Sequence, residues 1–420
     1  MGSPAVSPVE LPRQFGRYLL FDRIGRGGMA DIYLAQAQTA VGVPRRVVVK
    51  EILPELSGDP HFARMLVEEA KLVAGLRHAN VAQVLDLGRE GERLFIAMEY
   101  VEGLDLNQLL RQLSKQKIAL PAELALFVVR EMLAALDFAH RATDERGLPL
   151  GIVHRDVSPS NVLISFEGEV KLCDFGIAKA LGATPSLPGG PPATDERSGE
   201  RSHIAGKAAY MSPEHARGLD IDGRADVFAA GIVLYELCAG RRLYRGTEAE
   251  MLAMAREGAV PPLPDRGLPR QDELQAILDR ALALAPSDRF ATAAELLRAL
   301  DEYAIRAKLF ASQLRFGAFM SEHFEADVIR TRRDRERAAE ALVRGPAVQI
   351  APLDPLPAPE AVPEPAPVAA EPVAPVLAAE EIASRPAPPS ARSPTAPLLV
   401  ACGIVGVVLL ALIVAIVLTR

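Results

Sequence analysis

The chain has 420 residues, 49% of them hydrophobic and only 5% aromatic, with no Trp and a formal net charge of −7. That length suggests two or three domains, and that apolar content excludes a wholly disordered chain. The acidic balance excludes a sequence-independent grip on nucleic acid, and three scattered cysteines, Cys173, Cys238 and Cys402, exclude a zinc site or a disulfide framework and suit reduced thiols in a cytosolic compartment.

Residues 1–14 are short, polar and Pro-containing, without the charged start and apolar run of a signal peptide, and read as a disordered terminus. Residues 15–306 read as one globular unit. Its first hundred residues are strand-rich, with β-branched and apolar runs at Val47–Val49 and Leu94–Met98. The remainder is helical, with apolar residues at helical spacing over Leu124–His140, Val227–Cys238, Leu274–Leu284 and Thr292–Tyr303.

Within that unit, Ile24-Gly25-Arg26-Gly27-Gly28-Met29-Ala30 has the pattern G-x-G-x-x-A. Glycines let the backbone approach a phosphate closely. The next residues, Ile32-Tyr33-Leu34, are β-like, so the pattern reads as a hairpin over a nucleotide rather than a helix N-terminus; alone, it is more commonly just a Gly-rich turn. Lys50 ends the run Val47–Val49, and Glu69 lies on a helix-like segment, Phe62–His78. A buried Lys50–Glu69 pair would set an ammonium on the α- and β-phosphates, although a lysine at a strand end is usually only solvated.

His154-Arg155-Asp156-Val157-Ser158-Pro159-Ser160-Asn161, followed by Cys173-Asp174-Phe175-Gly176, carries the most information. An Asp and an Asn at this spacing, then a second Asp, supply one base and two ligands for Mg²⁺, which takes oxygen donors from one or two side chains plus phosphates. Phosphoryl transfer needs mainly positioning and charge neutralisation, so a few carboxylates and a lysine suffice.

Further on, Gly182–Gly199 is a low-complexity insert rich in Gly, Pro, Ser and Thr. Residues 307–344 read as a charged helical segment leading to a membrane, with both signs dense over Thr331–Arg337 as on a solvated face. Residues 345–397 hold 15 of the 34 prolines and read as an extended linker. Leu398–Leu418 is an uncharged run of 21 apolar or small residues, long enough for a transmembrane helix.

On the glycine loop, Lys50, Glu69 and the two Asp motifs, the chain resembles the bacterial eukaryotic-type (Hanks-type) serine/threonine protein kinases that carry a transmembrane segment. Ser212-Pro213-Glu214, Asp226 and Arg289 continue the likeness in order. The resemblance implies an α+β bilobal fold over 15–306, with a β-rich N-lobe and a helical C-lobe. It implies ATP and Mg²⁺ (or Mn²⁺ in its place) as cofactors and protein substrates as partners. Gly25, Gly27 and Gly28 would cover the phosphates, with Ile24 and Arg26 of the same loop also binding the nucleotide; Lys50 would bind the α- and β-phosphates and pair with Glu69; Asp156 would accept the substrate proton; Asn161 and Asp174 would hold the metal. Met98 would back the adenine pocket, with Glu99 to Val101 as hinge and Ile32, Val48 and Leu163 sandwiching the base. Glu214 would pair with Arg289, and Asp226 would brace the catalytic loop. Arg155 before Asp156 suggests control by phosphorylation within Thr184–Ser202.

Two positions depart from that family. Ser158 stands where a lysine is usual, and Lys207 where a threonine is usual. The paired change reads as an exchange in which Lys207 supplies the γ-phosphate charge that Ser158 cannot. The alternative is a weakly active or inactive nucleotide-binding scaffold. ATP is cytoplasmic, so the kinase unit is expected on the cytoplasmic side of the inner membrane, with 398–418 as a tail anchor and Arg385 and Arg392 agreeing weakly in charge. Ala411 and Ala415 stand at a spacing that lets two helices approach, and a homodimer is an expectation from kinase activation in general.

Overall fold

The computed structural model describes residues 11–27, 29–37, 45–175 and 208–344. The first part is a six-stranded antiparallel sheet of β1 (Arg13–Phe15), β2 (Tyr18–Arg26), β3 (Ala30–Ala37), β4 (Arg45–Ile52), β5 (Val84–Glu90) and β6 (Arg93–Glu99), ordered β1-β2-β3-β4-β6-β5. A short helix, α1 (Pro54–Ser57), and a longer one, α2 (Pro60–Ala74), cross over between β4 and β5.

Alternation along β4 assigns its residues to two faces. Val47 and Val49 are buried in an outer core with Phe15, Tyr18, Leu20, Tyr33 and Phe95. Val48 and Lys50, two residues apart, therefore share the opposite face, turned to the cleft. The apolar runs predicted as strands are β4 and β6, and the helix-like segment carrying Glu69 is α2, started by Asp59, whose carboxylate accepts from His61 N (2.8 Å).

The helical part begins after β7 (Gly103–Asp105). It contains α3 (Leu106–Gln116), α4 (Ala122–His140), α5 (Pro213–Ala216), α6 (Gly223–Ala239), α7 (Glu248–Glu257), α8 (Gln271–Ala281), α9 (Ala293–Ala307) and α10 (Gln313–Arg344). The four segments with helical periodicity fall on α4, α6, α8 and α9. Every residue from Ala225 to Ala239 in α6 is buried, which is why this stretch shows so little polar character: it is the axle around which the lobe packs. A second, three-stranded sheet, β7 with β8 (Val162–Ser165) and β9 (Val170–Leu172), lies between the lobes and carries the catalytic motifs at its ends.

Two sequence expectations need correction. Arg13 and Gln14, read as the end of a disordered terminus, instead begin the sheet by pairing with Leu20 and Leu19 across a tight turn. At the other end, the sequence sets residues 307–344 apart as a charged segment after a unit that ends at 306. The structure makes them helical as α10, but Phe316, Phe319, Met320 and Phe324 belong to the same buried core as α4 and β8. Only after Phe324, where the backbone leaves helical geometry (φ −127°, ψ 22°), does the charged character prevail. The linker 345–397 and the apolar run 398–418 lie outside the described residues. Among the described residues, no helix is long and apolar enough to cross a membrane.

Candidate active site

The glycine-rich pattern is a hairpin, as its β-like continuation predicted. β2 and β3 pair with Gly25 opposite Ile32 and Arg26 opposite Asp31, and Gly27 N donates to Ala30 O (2.9 Å). Arg26 leans on Asp31 (3.6 Å); Gly28 lies outside the described residues. Next to the hairpin, Ile24 is an exposed apolar side chain, and Ile32, Val48, Val101 and Leu163 are all only half-buried. Met98, by contrast, is buried and lines an apolar recess with Val73, Val84, Ile96, Asp174 and Phe175. Apolar residues left partly uncovered at the mouth, with buried ones at the back, are the character of a ligand cleft.

Lys50 makes an ion pair with both carboxylate oxygens of Asp174. Burial works against the ammonium, but the neighbouring Asp174 carboxylate, with Cys173 and Asp156 adding in the same direction, outweighs it, so the lysine pKa is raised. This corrects the expected Lys50–Glu69 pairing: the partner that the structure gives Lys50 is Asp174, whose left-handed backbone (φ 66°) follows β9 directly. Glu69 occupies the inner side of α2 with Oε2 buried.

The catalytic loop is held from below. Asp226, 1% exposed near the start of α6, accepts from His154 N (2.7 Å), Arg155 N (2.8 Å) and His140 Nε2 (2.8 Å). Burial alone would raise its pKa, but these donors keep it below the usual carboxylate range. They also hold Arg155 in its left-handed conformation (φ 67°). His154 is fully buried: its Nε2 donates to Cys173 O (2.9 Å) while Nδ1 accepts from Asp156 N (3.2 Å), a tautomer assigned from those partners. Asn161 Nδ2 donates to Asp156 O (2.7 Å), and Cys173 N to Asn161 O (2.9 Å), which ties the two motifs together. Gly223 is required beneath this frame, since a Cβ there would stand 2.8 Å from His140 Nδ1.

Asp226→Asn is therefore expected to lose about 1–3 kcal/mol at neutral pH, because an amide presents a donor to at least one of these N–H groups. The sign with pH comes from the lowered pKa. The wild-type contribution is present above the ordinary carboxylate pKa and is lost as pH falls through the folded one. Denaturant unfolding at several pH values should thus show the two proteins converging in acid; a constant gap would contradict the assignment.

Sequence reasoning missed two attachments between the lobes. Asn80, 9% exposed, donates to Val170 O (3.0 Å) and Glu131 Oε2 (2.6 Å), and its carbonyl accepts from Leu172 N (2.7 Å). Glu99, expected only as hinge, is paired through its side chain with Lys171 on β9 (3.1 Å) and accepts from Gln83 N (3.2 Å). A polar Asn directly before the buried Val81 and Ala82 was the available signal. Ser158 is buried with Oγ 3.1 Å from Ser160 Oγ. Lys207 and Thr184–Ser202 lie outside the described residues, so the exchange between Ser158 and Lys207 has no geometry.

The donors fit a hard cation. Asn161 uses its amide nitrogen on Asp156 O, which leaves Oδ1 as the acceptor of that side chain, and Asp174 offers carboxylate oxygens. Among the described residues no group of three or more His, Cys, Asp or Glu could hold a metal, so a cation at this place would rely on two side chains and on phosphate oxygens, as Mg²⁺ does.

A sequence model described as "Protein kinase domain" matches residues 18–300. The chain belongs to the protein kinase family. Tyrosine-protein kinase MasK of Myxococcus xanthus is 37% identical over 317 residues, covering 75% of this chain and 47% of that protein. Serine/threonine-protein kinase PrkC of Bacillus subtilis is 33% identical over 303 residues, 71% of this chain and 43% of that protein. PknL of Mycobacterium tuberculosis, a serine/threonine-protein kinase, is 34% identical over 331 residues, 77% and 75% of the two chains. The chain thus spans about half the length of MasK and PrkC. The PknI kinase domain of M. tuberculosis superposes with a TM-score of 0.52 at 30% identity, over 71% of this chain and 99% of that one. The kinase domain accounts for the bilobal architecture, and the motif residues above occupy the cleft between its lobes.

Proposed function

We propose that this chain transfers the γ-phosphoryl group of ATP to serine and threonine hydroxyls of proteins. The observation that carries the reading is the convergence of Lys50, Asp174, Asp156 and Asn161 at one end of the β8–β9 hairpin, with a single hydrogen-bonded frame setting all of the loop. Asp156 would accept the proton of the attacking hydroxyl as its oxygen bonds to the γ-phosphorus and ADP departs. Lys50 would hold the α- and β-phosphates, and Lys207 would meet the γ-phosphate charge. Mg²⁺ on Asn161 and Asp174 would neutralise charge developing between the phosphates.

Regulation by phosphorylation of Thr184–Ser202 is part of this reading. Arg155 Nε is buried and has no hydrogen-bond partner among the described residues. A phosphate carries about two negative charges and strong acceptor oxygens, which suits such a donor. The apolar run 398–418 would tether the domain to the inner membrane, and a homodimer would bring two loops within reach of each other. A tyrosine acceptor is the second reading, favoured by the name of MasK at 37% identity.

The deciding experiment incubates the full chain with Mg-ATP and a mixed peptide library, beside an Asp156→Asn control, and maps the phosphorylated residues. Phosphate on Ser and Thr in the wild type alone supports the proposal. Phosphate confined to Tyr replaces the acceptor. ATP binding without any transfer would establish the scaffold.

A further inference from the structure

The kinase family match stops at residue 300, yet α10 is bonded into the lobe beyond it. Ser312 precedes the helix and its hydroxyl accepts from Arg315 N (3.3 Å). Arg315 pairs with Glu123 at the start of α4, and Phe316, fully buried, sets its ring edge-on to Phe127 (6.2 Å, 85°). Met320 and Phe324 complete the buried stripe at helical spacing.

The same face touches the β8–β9 turn backbone to backbone. A Cβ on Gly168, at the tip of that turn, would stand 2.1 Å from Gln313 O and 2.5 Å from Gly317 N; a Cβ on Gly317 would stand 2.9 Å from Glu167 O. Two glycines, far apart in sequence, are therefore needed for one contact. Gly168 has the additional demand of a left-handed backbone (φ 84°), whereas nothing about Gly317 as a helix residue calls for glycine.

That turn is not a passive surface. Phe166 N donates to Glu102 O (2.9 Å), at the exit of the hinge, and Gly103 lies so close to the hairpin that a Cβ would fall 1.8 Å from Ile164 O. The hairpin strands are only four and three residues long. β8 starts directly after Asn161 and holds Leu163; β9 ends directly before Cys173 and Asp174. Displacing the turn therefore shifts the adenine-facing residue and both metal ligands as one short lever.

We infer that the first part of α10, Gln313 to Phe324, is a positioning clamp for the β8–β9 hairpin, so that the catalytic unit extends to Phe324 and the placement of ATP depends on this helix being seated. The activity arm of this inference rests on the proposed kinase reaction. The clamp lies directly ahead of the charged stretch of α10.

The test uses the full chain with Gly317→Leu, the milder Gly317→Ala, and Leu314→Gln as a control, since Leu314 is 84% exposed on the same helix. Steady-state kinetics in ATP, equilibrium binding of ATP, thermal unfolding and amide hydrogen exchange are read on each. Gly317→Leu is expected to raise KM for ATP about tenfold, the size of coupling that an element without ligand contact exerts. Exchange should accelerate over 162–174 and remain as in the wild type over β3 and β4, with Gly317→Ala between and Leu314→Gln unchanged. A purely structural helix would instead give a lower unfolding temperature with uniform exchange and unaltered KM in the folded fraction, and that result overturns the clamp. If the wild type transfers no phosphate, the kinase reading fails by itself, and ATP binding and exchange still decide the clamp.

Discussion

Asp156→Asn is expected to lower the rate of phosphotransfer by about 10²–10⁴-fold while leaving ATP affinity unchanged, the range that a positioned general base contributes. The substitution keeps shape and backbone. Asp156 N still donates to His154 Nδ1, and Asp156 O still accepts from Asn161 Nδ2, because both bonds use main-chain atoms. On the proposed reading, what is lost is the one carboxylate that would take the substrate proton. Lys50 and Asp174, the groups proposed to hold the nucleotide and metal, keep each other. Single-turnover phosphotransfer and ATP binding measured side by side separate the two quantities. A fall in both together would mean that Asp156 holds the loop rather than taking the proton. A fall in neither would remove it from the chemistry.

The grouping of Asp156 and Asn161 was legible in the sequence because it is written locally. Asp156 and Asn161 are five residues apart, and one short turn brings them together whatever else the chain does; the Asn161–Asp156 bond is the direct result. Which face Lys50 takes was not legible, because Val47, Val48 and Val49 are apolar alike and only the packing shows 47 and 49 buried opposite it. Nor was its partner. Glu69 and Asp174 are both acidic and both distant in sequence, and choosing between them depends on the backbone turn at Asp174, which no local pattern reports. The Glu99–Lys171 and Asn80–Glu131 attachments were hidden for the same reason. In α10 the dense charges of Thr331–Arg337 dominate the sequence pattern. The apolar positions 316, 319, 320 and 324 are visible at helical spacing, and weighting them would have brought the helix into the core.

Removing Arg289 is expected to cost about 3–5 kcal/mol, as breaking a buried ion pair does. The guanidinium is wholly buried. It bonds both oxygens of Glu214 (2.7 and 2.8 Å), donates to Ala283 O (2.8 Å), Leu284 O (3.0 Å) and Arg224 O (3.2 Å), and lies over the Phe228 ring at 4.7 Å. Burial alone would raise the Glu214 pKa, but the bonds from Arg289 hold it below its ordinary value, so the pair is charged at neutral pH. Arg289→Leu leaves that carboxylate buried without its cation and three carbonyls without a donor. A domain is stable by only about 5–15 kcal/mol, so such a loss approaches unfolding. Glu214→Leu should cost a comparable amount, because it strands a wholly buried guanidinium that cannot lose its proton, although Arg289 keeps its three carbonyl partners. The double variant should cost less than the sum of the two singles, since neither charge is then stranded. Denaturant unfolding of the four proteins closes the cycle. Strict additivity would show that the two side chains stabilise the lobe independently. Coupling would place Arg289 as the anchor that holds Pro213–Ala216, and with it the segment entering from residue 208, against α6.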